Sequence, residues 1–564
     1  MTHPRDLDFD PPGPGVWSTD GLHTPKPITR MKQATYSSLP KGMRIGMSRY
    51  GALSEGISIA ILHRFVYLSP QMLATRPPGN DNEAKAAFIA QASANPELQE
   101  RFERAEFTLT TKRWRADKDH WDTTGKSWVM GRTLALTDEQ PTLMTDKELV
   151  FNVQQSIHHL TLTMEYHHIL NLVPSLPRCL LFLDVGNWTG LSTKEMEPLL
   201  LGSSPISAGD EPELRALCEA LDTDSSALSE LTSGEDAGAI INGLARRDDA
   251  TGAALSTYIR MVGFRTLDGW EPMNPYILET PELLIEKIIH GMKRSYPKAD
   301  PDAIESIRNL VPKGSQATFD ELLDDARTCS RIKDERDLYC NMPMCGVLRR
   351  SIIEAGGRAA QKGLINDIEH MTEASSDEVR QILIGGRSDL GDELHERYEY
   401  RMKYSIDDVP QTIGDASEMP QPIDPGWLPA ASSRFSRAMG INLMLNSPVD
   451  EANDKDATVL KGRPVSAGSF EGIARVVKDA AEINDLQQGE ILITRSTNPA
   501  FNIVLPRLGA LVTQYGGVLS HAAIVAREFG IPGIVGCKEA TKKVETGDRL
   551  TVNGDTGEVT LHRA

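Results

Sequence analysis

The fold of the C-terminal part of the chain is decided by one stretch, Thr513-Gln-Tyr-Gly-Gly-Val-Leu-Ser-His521-Ala-Ala-Ile-Val-Ala-Arg-Glu-Phe-Gly530-Ile-Pro-Gly-Ile-Val-Gly536. The apolar run 508–513 is too short for a helix and is followed by a pair of glycines, so it predicts a strand and a tight turn. Ser520 is a good N-cap residue, and 522–529 is a run of helix formers that a further glycine stops. The stretch therefore predicts a strand, a turn, a helix with His521 in its first turn, and a second short strand.

This position gives His521 a particular chemistry. The positive end of the helix dipole disfavours an imidazolium and favours an anion. A neutral imidazole at such a place can act as a nucleophile, and free backbone N–H groups can stabilise a phosphoryl group that it accepts. A histidine here can also merely pack or cap the helix. The glycine pair, Ser520 and Arg527 occur together with His521, and this combination favours a functional histidine.

The same stretch resembles the phosphohistidine swivel domain, the mobile domain of PEP-utilising enzymes, in the string Gly516-Gly517-x-x-Ser520-His521-Ala-Ala-Ile-Val-Ala-Arg527-Glu528-x-Gly530-Ile-Pro532. The resemblance extends over 462–564 and includes the strings Gly462-Arg-Pro-Val-Ser-Ala-Gly468, Gly489-Glu-Ile-Leu-Ile-Thr494 and Thr497-Asn-Pro499. This domain occurs in phosphoenolpyruvate synthase, pyruvate phosphate dikinase, rifampicin phosphotransferase and phenylphosphate synthase. The resemblance implies that His521 carries a phosphoryl group between two active sites. It also implies the residues that bind or support the phosphoryl oxygens: Ser520, Gly516, Gly517, Thr494 and Arg527.

Composition limits the class of protein. The chain has 564 residues, of which 40% are hydrophobic and 25% are charged, so we expect a globular protein of two or three domains. The formal charge of -19 argues against a nucleic-acid surface and against an anionic membrane patch. The six cysteines are dispersed without a CxxC pair, which predicts reduced thiols in a cytoplasmic protein. The first residues, Met1-Thr-His-Pro-Arg-Asp-Leu-Asp8, have no apolar core typical of a signal peptide, and no run of 18 apolar residues predicts a membrane span.

The order of patterns predicts a multidomain chain, mostly α-helical and ending in an α/β domain. Its predicted segments are an extended arm at 1–30, a helical substrate-binding domain at 31–405, a Pro-rich and acidic linker at 406–461 with a helix at 433–445, and the swivel domain at 462–564. Helical patterns are expected within the second segment from 45 to 75 and from 82 to 115. A jointed linker suits a domain that moves between two sites.

A long helix is predicted at 145–173, and it carries several histidines. Glu165 and His168 have the i, i+3 spacing of di-metal bundles, but that site needs a second pair, for which Asp367 and His370 are a loose candidate. We expect no metal here, and instead expect these histidines to line a substrate pocket or to be satisfied within a helical bundle.

The middle of the chain resembles the helical substrate domain of rifampicin phosphotransferase and phenylphosphate synthase. The strings that carry this resemblance are Leu199-Leu-Leu-Gly-Ser-Ser-Pro205, Gly263-Phe-Arg265, Glu279-x-Pro281, Arg336-Asp-x-Tyr339 and Gly346-Val-Leu-Arg-Arg350. By position, Arg349 falls where that family keeps a basic residue near the acceptor, and a cation there would neutralise charge on the phosphoryl group in flight. The candidate acceptor-site residues are Arg349, Arg336, Arg265, Glu165, His167 and His168.

Two further domains of related enzymes are expected to be missing. The chain ends at Ala564 directly after the swivel domain, so we expect no pyruvate-handling barrel. Residues 1–430 read as helical and lack the sheet and glycine-rich loop of an ATP-grasp domain. The string at 124–127, Thr-Gly-Lys-Ser, is not a phosphate loop, because the first glycine of that motif would fall at His120.

The arrangement resembles phenylphosphate synthase, in which nucleotide binding and phosphohistidine transfer lie on separate subunits, and this resemblance implies a split, dikinase-type phosphotransferase. In such an enzyme a separate ATP-grasp chain, with ATP and Mg²⁺, would phosphorylate His521 and release AMP and phosphate. The swivel domain would then offer the phosphohistidine to a hydroxyl of a small organic acceptor, a phenol or an alcohol. Two alternatives stay open: a self-sufficient ATP-dependent kinase whose nucleotide site lies unrecognised in 30–430, and a non-catalytic regulatory or scaffold protein.

Overall fold

The computed structural model describes residues 2–208, 211–267, 270–293, 298–446, 458–478, 480–497, 501, 504–518 and 520–562. The chain forms two compact units, each made of two separate segments. The first unit is Met1–Asn187 with Asp320–Ile441, and the second is Trp188–Phe319 with Asn442–Ala564. The predicted helical domain, 31–405, therefore contributes to both units.

The first segment of the first unit contains a small sheet and a run of helices. Its strands are β1 (Val16–Thr19), β2 (Ser54–Leu62) and β3 (Phe65–Met72). Its helices are α1 (Arg30–Tyr36), α2 (Ser38–Tyr50), α3 (Asp81–Ala94), α4 (Pro96–Thr111), α5 (Arg113–His120), α6 (Lys126–Asp138), α7 (Asp146–Ile169) and α8 (Leu172–Thr189). A π-helical turn, Trp121–Gly125, joins α5 to α6.

The hairpin β2–β3 shows that the helical prediction for 45–75 was wrong beyond α2. Residues 57–61, Ile-Ser-Ile-Ala-Ile, alternate with the period of a strand. The hairpin turns at His63 and Arg64, whose φ angles of 49° and 74° both lie in the left-handed region that tight hairpins use. The N-terminal segment predicted as an arm supplies β1, which pairs with β3 and with β4 (Thr412–Gly414). The resulting order is β2-β3-β1-β4.

The second unit begins with helices. They are α9 (Pro212–Leu221), α10 (Ser225–Leu231), α11 (Ala237–Ala245), α12 (Ala250–Val262), α13 (Pro281–Met292) and α14 (Pro301–Leu310). Each of α10, α11 and α12 begins after an Asp residue whose side chain accepts a hydrogen bond from a backbone N–H of the first turn: Asp224, Asp236 and Asp249. The buried residues of these helices lie on one face, as in an amphipathic helix.

The chain then returns to the first unit. The helices here are α15 (Gln316–Ser330), α16 (Ile332–Arg336), α17 (Met342–Gln361), α18 (Ser376–Leu383), α19 (Asp389–Lys403) and α20 (Ala430–Asn446). A second π-helical turn, Asp337–Asn341, lies between α16 and α17. Helix α7 packs against α2 and α17, and its buried face forms the centre of the unit.

Among the residues that the structure describes, one helical stretch, Asp146–Thr189, is long and apolar enough to cross a membrane by length and composition alone. Within its most apolar window, 72% is buried inside the protein. That burial is what the core helices α7 and α8 of a folded unit require, since their apolar faces already have protein partners.

The C-terminal part of the second unit is a sheet with two helices. Its strands are β5 (Val459–Lys461), β6 (Arg463–Ser466), β7 (Ser469–Val477), β8 (Ile491–Thr494), β9 (Ala510–Thr513), β10 (Gly533–Val535), β11 (Arg549–Asn553) and β12 (Glu558–Leu561), and its helices are α21 (His521–Phe529) and α22 (Ala540–Lys543). The strand order is β5-β12-β11-β7-β8-β9-β10-β6, with β7 to β10 parallel. Every residue of β8 and β9 is buried, as expected for central parallel strands. The chain is thus mostly helical with a C-terminal β-sheet region, as the sequence predicts.

Candidate functional site

The predicted strand, turn, helix and strand around His521 are β9, the glycine turn, α21 and β10. Ser520 is the N-cap of α21, and its side chain accepts a hydrogen bond of 3.3 Å from the backbone N–H of Ala523. The helix ends at Gly530, whose φ of 65° gives the left-handed C-cap that glycine favours. The local signals therefore place His521 as the first residue of the helix.

The glycine turn brings the backbone close to this N-cap. Gly516 has a φ of 114°, and a Cβ at this position would lie 2.9 Å from the Ser520 hydroxyl oxygen. The Ser520 backbone N–H donates to the Gly517 carbonyl over 2.9 Å. A side chain at residue 516 would therefore be strained and would also displace the cap.

A residue outside the predicted set fixes the His521 ring. The His521 side chain is 6% exposed, and its Nδ1 lies 3.0 Å from the hydroxyl oxygen of Thr497. A hydrogen bond to one imidazole nitrogen sets the tautomer and the ring orientation, and so sets the character of the other nitrogen. The string Thr497-Asn-Pro499 was part of the family resemblance, but nothing in it pointed to a contact with the histidine.

Arg527 lies on α21 and binds groups of the protein. Its guanidinium donates to the carbonyl oxygens of Val518 at 2.8 Å and Val465 at 3.4 Å, and it lies 3.2 Å from a carboxylate oxygen of Glu197. Burial lowers the pKa of Arg527. In this arrangement Arg527 holds the segment before His521 against the first strands of the sheet, and its contribution to the phosphoryl shell stays a prediction.

Thr494 ends β8 beside the glycine turn. It is 4% exposed, and its hydroxyl lies 3.5 Å from the Ser496 carbonyl. Its own carbonyl accepts the backbone N–H of Gln514, which begins the glycine turn. Thr494 thus joins the ends of two neighbouring strands at the edge where His521 lies.

The six predicted acceptor-site residues do not form one group. Arg336, His167 and His168 come together: Arg336 donates to the His167 carbonyl over 3.2 Å, and the two histidine rings lie 4.7 Å apart. The other three have carboxylate or ammonium partners elsewhere, namely Glu165 with Lys41 at 2.8 Å, Arg349 with Glu369 at 2.8 Å, and Arg265 with Glu211 at 2.7 Å. Arg265 belongs to the second unit and the other five to the first.

The two neighbouring histidines are neutral at pH 7. Burial places the pKa of His167 well below its usual range and lowers the pKa of His168 to about 3. In the part of the chain that the structure describes, no group of three or more His, Cys, Asp or Glu side chains is arranged to hold a metal ion. All six cysteines are free thiols, and all but Cys218 are buried.

Known proteins resemble this chain in its C-terminal part and, more distantly, beyond it. Residues 486–557 match the family described as "PEP-utilising enzyme, mobile domain". A probable phosphoenolpyruvate synthase of Pyrococcus abyssi is 46% identical over 109 residues, which are 19% of this chain and 13% of that protein.

Two longer alignments extend into the helical part of the chain. The uncharacterized phosphotransferase YvkC of Bacillus subtilis is 24% identical over 314 residues, 54% of this chain and 36% of that protein. A rifampicin phosphotransferase of a Streptomyces species is 27% identical over 323 residues, 55% of this chain and 34% of that protein. The chain therefore spans well under two thirds of the length of these relatives.

Proposed function

Because residues 486–557 match the family described as "PEP-utilising enzyme, mobile domain", we propose that the chain carries a phosphoryl group on His521 between two sites. The phosphoryl group comes from ATP bound with Mg²⁺ on a separate ATP-grasp protein. It goes to a hydroxyl of a small organic acceptor, a phenol or an alcohol, that binds the helical part of the chain. The six free thiols accord with a cytoplasmic site of action.

The hydrogen bond between Thr497 and Nδ1 of His521 carries this proposal. If Nδ1 donates its proton to the Thr497 hydroxyl, the lone pair lies on Nε2, which is then the nucleophile. Nε2 attacks the β-phosphorus of ATP, the Nε2–P bond forms, and the P–O bond to AMP breaks; hydrolysis of the terminal phosphoryl group then releases phosphate and leaves one phosphoryl group on Nε2. The threonine contact also disperses the positive charge that develops on the ring.

The N-terminus of α21 supplies the complementary half of the site. The first N–H groups of a helix have no partner inside the helix, and the helix dipole favours an anion there. Ser520 caps one of these groups, so the others and the glycine turn, Gly516 and Gly517, can receive phosphoryl oxygens. Mg²⁺ is usually held by one or two carboxylates together with nucleotide phosphates, and we assign it to the partner with ATP.

Intact-mass spectrometry of the full chain tests this function. The chain is incubated with ATP and Mg²⁺, with and without the candidate ATP-grasp partner, and is measured before and after acid treatment. We expect one acid-labile phosphoryl group that appears only with the partner. It is absent in His521→Ala and present in the matched control His562→Ala, whose histidine lies in the same domain.

The other outcomes separate the alternatives. Labelling of His521 by ATP without a partner would replace the split enzyme with a self-sufficient kinase. Absence of label in a folded wild-type chain, with every candidate donor protein, would refute the carrier function and support a regulatory role.

A further inference from the structure

A cluster of polar and charged side chains surrounds the second π-helical turn of the first unit. We call it the π-turn cluster, and it comprises Asp20, His23, His167, Lys333, Arg336, Asp337 and Asn341. Its members come from three separate parts of the chain: the segment before α1, the C-terminal end of α7, and the residues around the π-turn, Asp337–Asn341. Lys333 lies in α16, four residues before Asp337 on the same helical stretch. π-Helical turns are rare, and they occur frequently at functional sites.

The π-turn directs its side chains toward the end of α7. The Asn341 side-chain amide lies 3.0 Å from Nδ1 of His167, and a carboxylate oxygen of Asp337 lies 3.6 Å from the same nitrogen. Arg336 donates to the His167 carbonyl and to the side-chain oxygen of Asn171. These contacts hold the Asp337 carboxylate beside the His167 ring and the Arg336 guanidinium at the His167 backbone carbonyl.

The segment before α1 contributes His23, whose charge acts on Asp337 and on His167. Asp20 is 4% exposed, and it accepts hydrogen bonds from the Tyr36 hydroxyl and, over 3.0 Å, from the His23 ring. Lys32 donates to the His23 carbonyl over 2.8 Å. These bonds hold His23 in place, although 35% of its side chain is exposed. The side chain of Asp337 is 21% exposed, so the cluster is reachable from solvent at these two residues.

The charges in the cluster are unusual for a packed interior. Burial lowers the pKa of Lys333 to about 8 and raises the pKa of Asp337 to about 6. The charged and titratable groups that act on Asp337 lie on its own segment, on α7 and before α1: Lys333, Asp334, Arg336, Cys340, His167 and His23. The Asp337 carboxylate can therefore accept and release a proton near neutral pH, and the neighbouring cations Lys333 and Arg336 can bind an anion.

This inference rests on the proposed function and assigns its acceptor side. We propose that the π-turn cluster binds the acceptor hydroxyl, that Asp337 is the base that takes its proton, and that Lys333 and Arg336 bind the phosphoryl group as it arrives. The acceptor oxygen–phosphorus bond forms and the phosphorus–Nε2 bond of His521 breaks. The hydroxyl proton goes to the Asp337 carboxylate, and the electron pair of the broken bond returns to Nε2.

The histidines are poorer candidates for this base. Their pKa values lie far below 7 because they are buried, so neither His167 nor His168 would hold a proton taken from a hydroxyl at neutral pH. As neutral rings they can orient the acceptor by hydrogen bonding. The product is a phosphate monoester, whose anion the two cations Lys333 and Arg336 hold until release.

Inorganic phosphate is the probe for this site, because the cluster must hold a phosphoryl group whatever organic acceptor carries it. Binding to the full-length chain is measured by calorimetry at pH 7.5. We expect saturable binding that is roughly tenfold weaker in Lys333→Gln, since one charge-assisted contact is lost, and that is unchanged in Ser520→Ala. Asp337→Asn is nearly isosteric and removes a negative charge, so it should bind phosphate more tightly than the wild type at this pH. Asp389→Asn, on the exposed start of α19, is the matched control and should change nothing.

The pH dependence isolates the carboxylate. Phosphate gains charge with rising pH in every variant, so the wild type is compared with Asp337→Asn at each pH. Their affinities should converge below pH 6, where Asp337 is neutral, and diverge above it. The assignment would be overturned if the wild type and Asp337→Asn bound phosphate equally at every pH, or if phosphate did not saturate and so bound as an adventitious ion only. It would also be overturned if phosphate binding were lost in Ser520→Ala but kept in Lys333→Gln.

Failure of this inference is distinguishable from failure of the proposed function. Loading of His521 from ATP and the partner does not involve the cluster, so Asp337→Asn should acquire the acid-labile phosphoryl group at the wild-type rate. If loading succeeds and phosphate binding ignores both cluster variants, the carrier function stands and the acceptor site lies elsewhere. If the wild-type chain never loads, the carrier function itself has failed.

Discussion

Replacement of Thr497 by valine tests the contact that orients His521. Valine keeps the shape of threonine but removes the hydroxyl that lies 3.0 Å from Nδ1. The histidine is only 6% exposed, so water has little access to replace the lost partner. The Nδ1 nitrogen then loses this hydrogen bond, and the charge that develops on the ring during phosphorylation loses a neighbouring oxygen.

The magnitude follows from the strength of that bond. A hydrogen bond to a group that becomes charged contributes about 1.5–3 kcal/mol, which corresponds to a loss of about ten- to a hundredfold in rate. Thr497→Ser retains the hydroxyl and serves as the matched control, with a loss of about threefold or less from looser packing. The assay is the time course of acid-labile phosphate on the intact chain, with ATP and the partner in excess.

The loading rates decide whether the Thr497 hydroxyl orients the His521 ring. If the Thr497→Val chain acquires phosphate as fast as the Thr497→Ser chain, Nδ1 needs no oxygen partner and other contacts orient the ring. A chain that loads slowly but reaches the same final occupancy is the expected result, because the variant removes positioning and leaves the nucleophile itself intact.

Two further predictions concern stability. Gly516→Ala should destabilise the second unit by about 1–3 kcal/mol in urea unfolding, because it combines a φ of 114° with a close approach to Ser520. Gly489→Ala is the control and should lower the free energy of unfolding by only about 1 kcal/mol, since φ is also positive, at 80°, but no atom lies within 4 Å of the added Cβ. Equal losses of stability in the two variants would disprove the steric contribution at Gly516. Burial alone would raise the pKa of Asp20, but the charge and hydrogen bonds of His23 lower it to about 2. The native pKa is below the unfolded one, so Asp20 stabilises the first unit by about 2 kcal/mol above pH 4, and that stability is lost as the pH falls toward 2. Asp20→Asn should flatten this part of the stability–pH curve, and an unchanged curve would contradict the assignment.

The region around His521 was predictable because its signals are local. A capping serine, a glycine turn, a run of helix formers and a glycine stop each act within one turn of the backbone, so they specify the same structure without help from the rest of the chain. The structure places the N-cap at Ser520 and the C-cap at Gly530, where these signals put them.

The β2–β3 hairpin was missed for the opposite reason. Its alternating residues, 57–61, lie next to a stretch with helical spacing, and a short strand is stable only when it has pairing partners. Part of that sheet is built from β1 and β4, which are remote from the hairpin in sequence. Local patterns carry no information on such pairing.

The candidate acceptor-site residues could also be predicted only in part, because their pKa values depend on residues distant in sequence. The sequence pointed to Arg336, His167 and His168, which do meet. It gave no reason to single out Asp337 or Lys333, because the properties that distinguish these two arise from burial and from neighbours on other segments. Both residues are common on helix surfaces, where their pKa values would be ordinary.

The pairing of β1 with β4 has a consequence for synthesis of the protein. Val16 lies opposite Gly414, so a strand that leaves the ribosome among the first residues waits for a partner from near the end of the same unit. The helices α9 to α14 are translated in between, and at about 5–20 residues per second the wait lasts on the order of a minute or less. During that interval the edge of β1 and the face of α7 that later meets α17 are exposed, so the nascent chain is most vulnerable to aggregation before its last helices emerge.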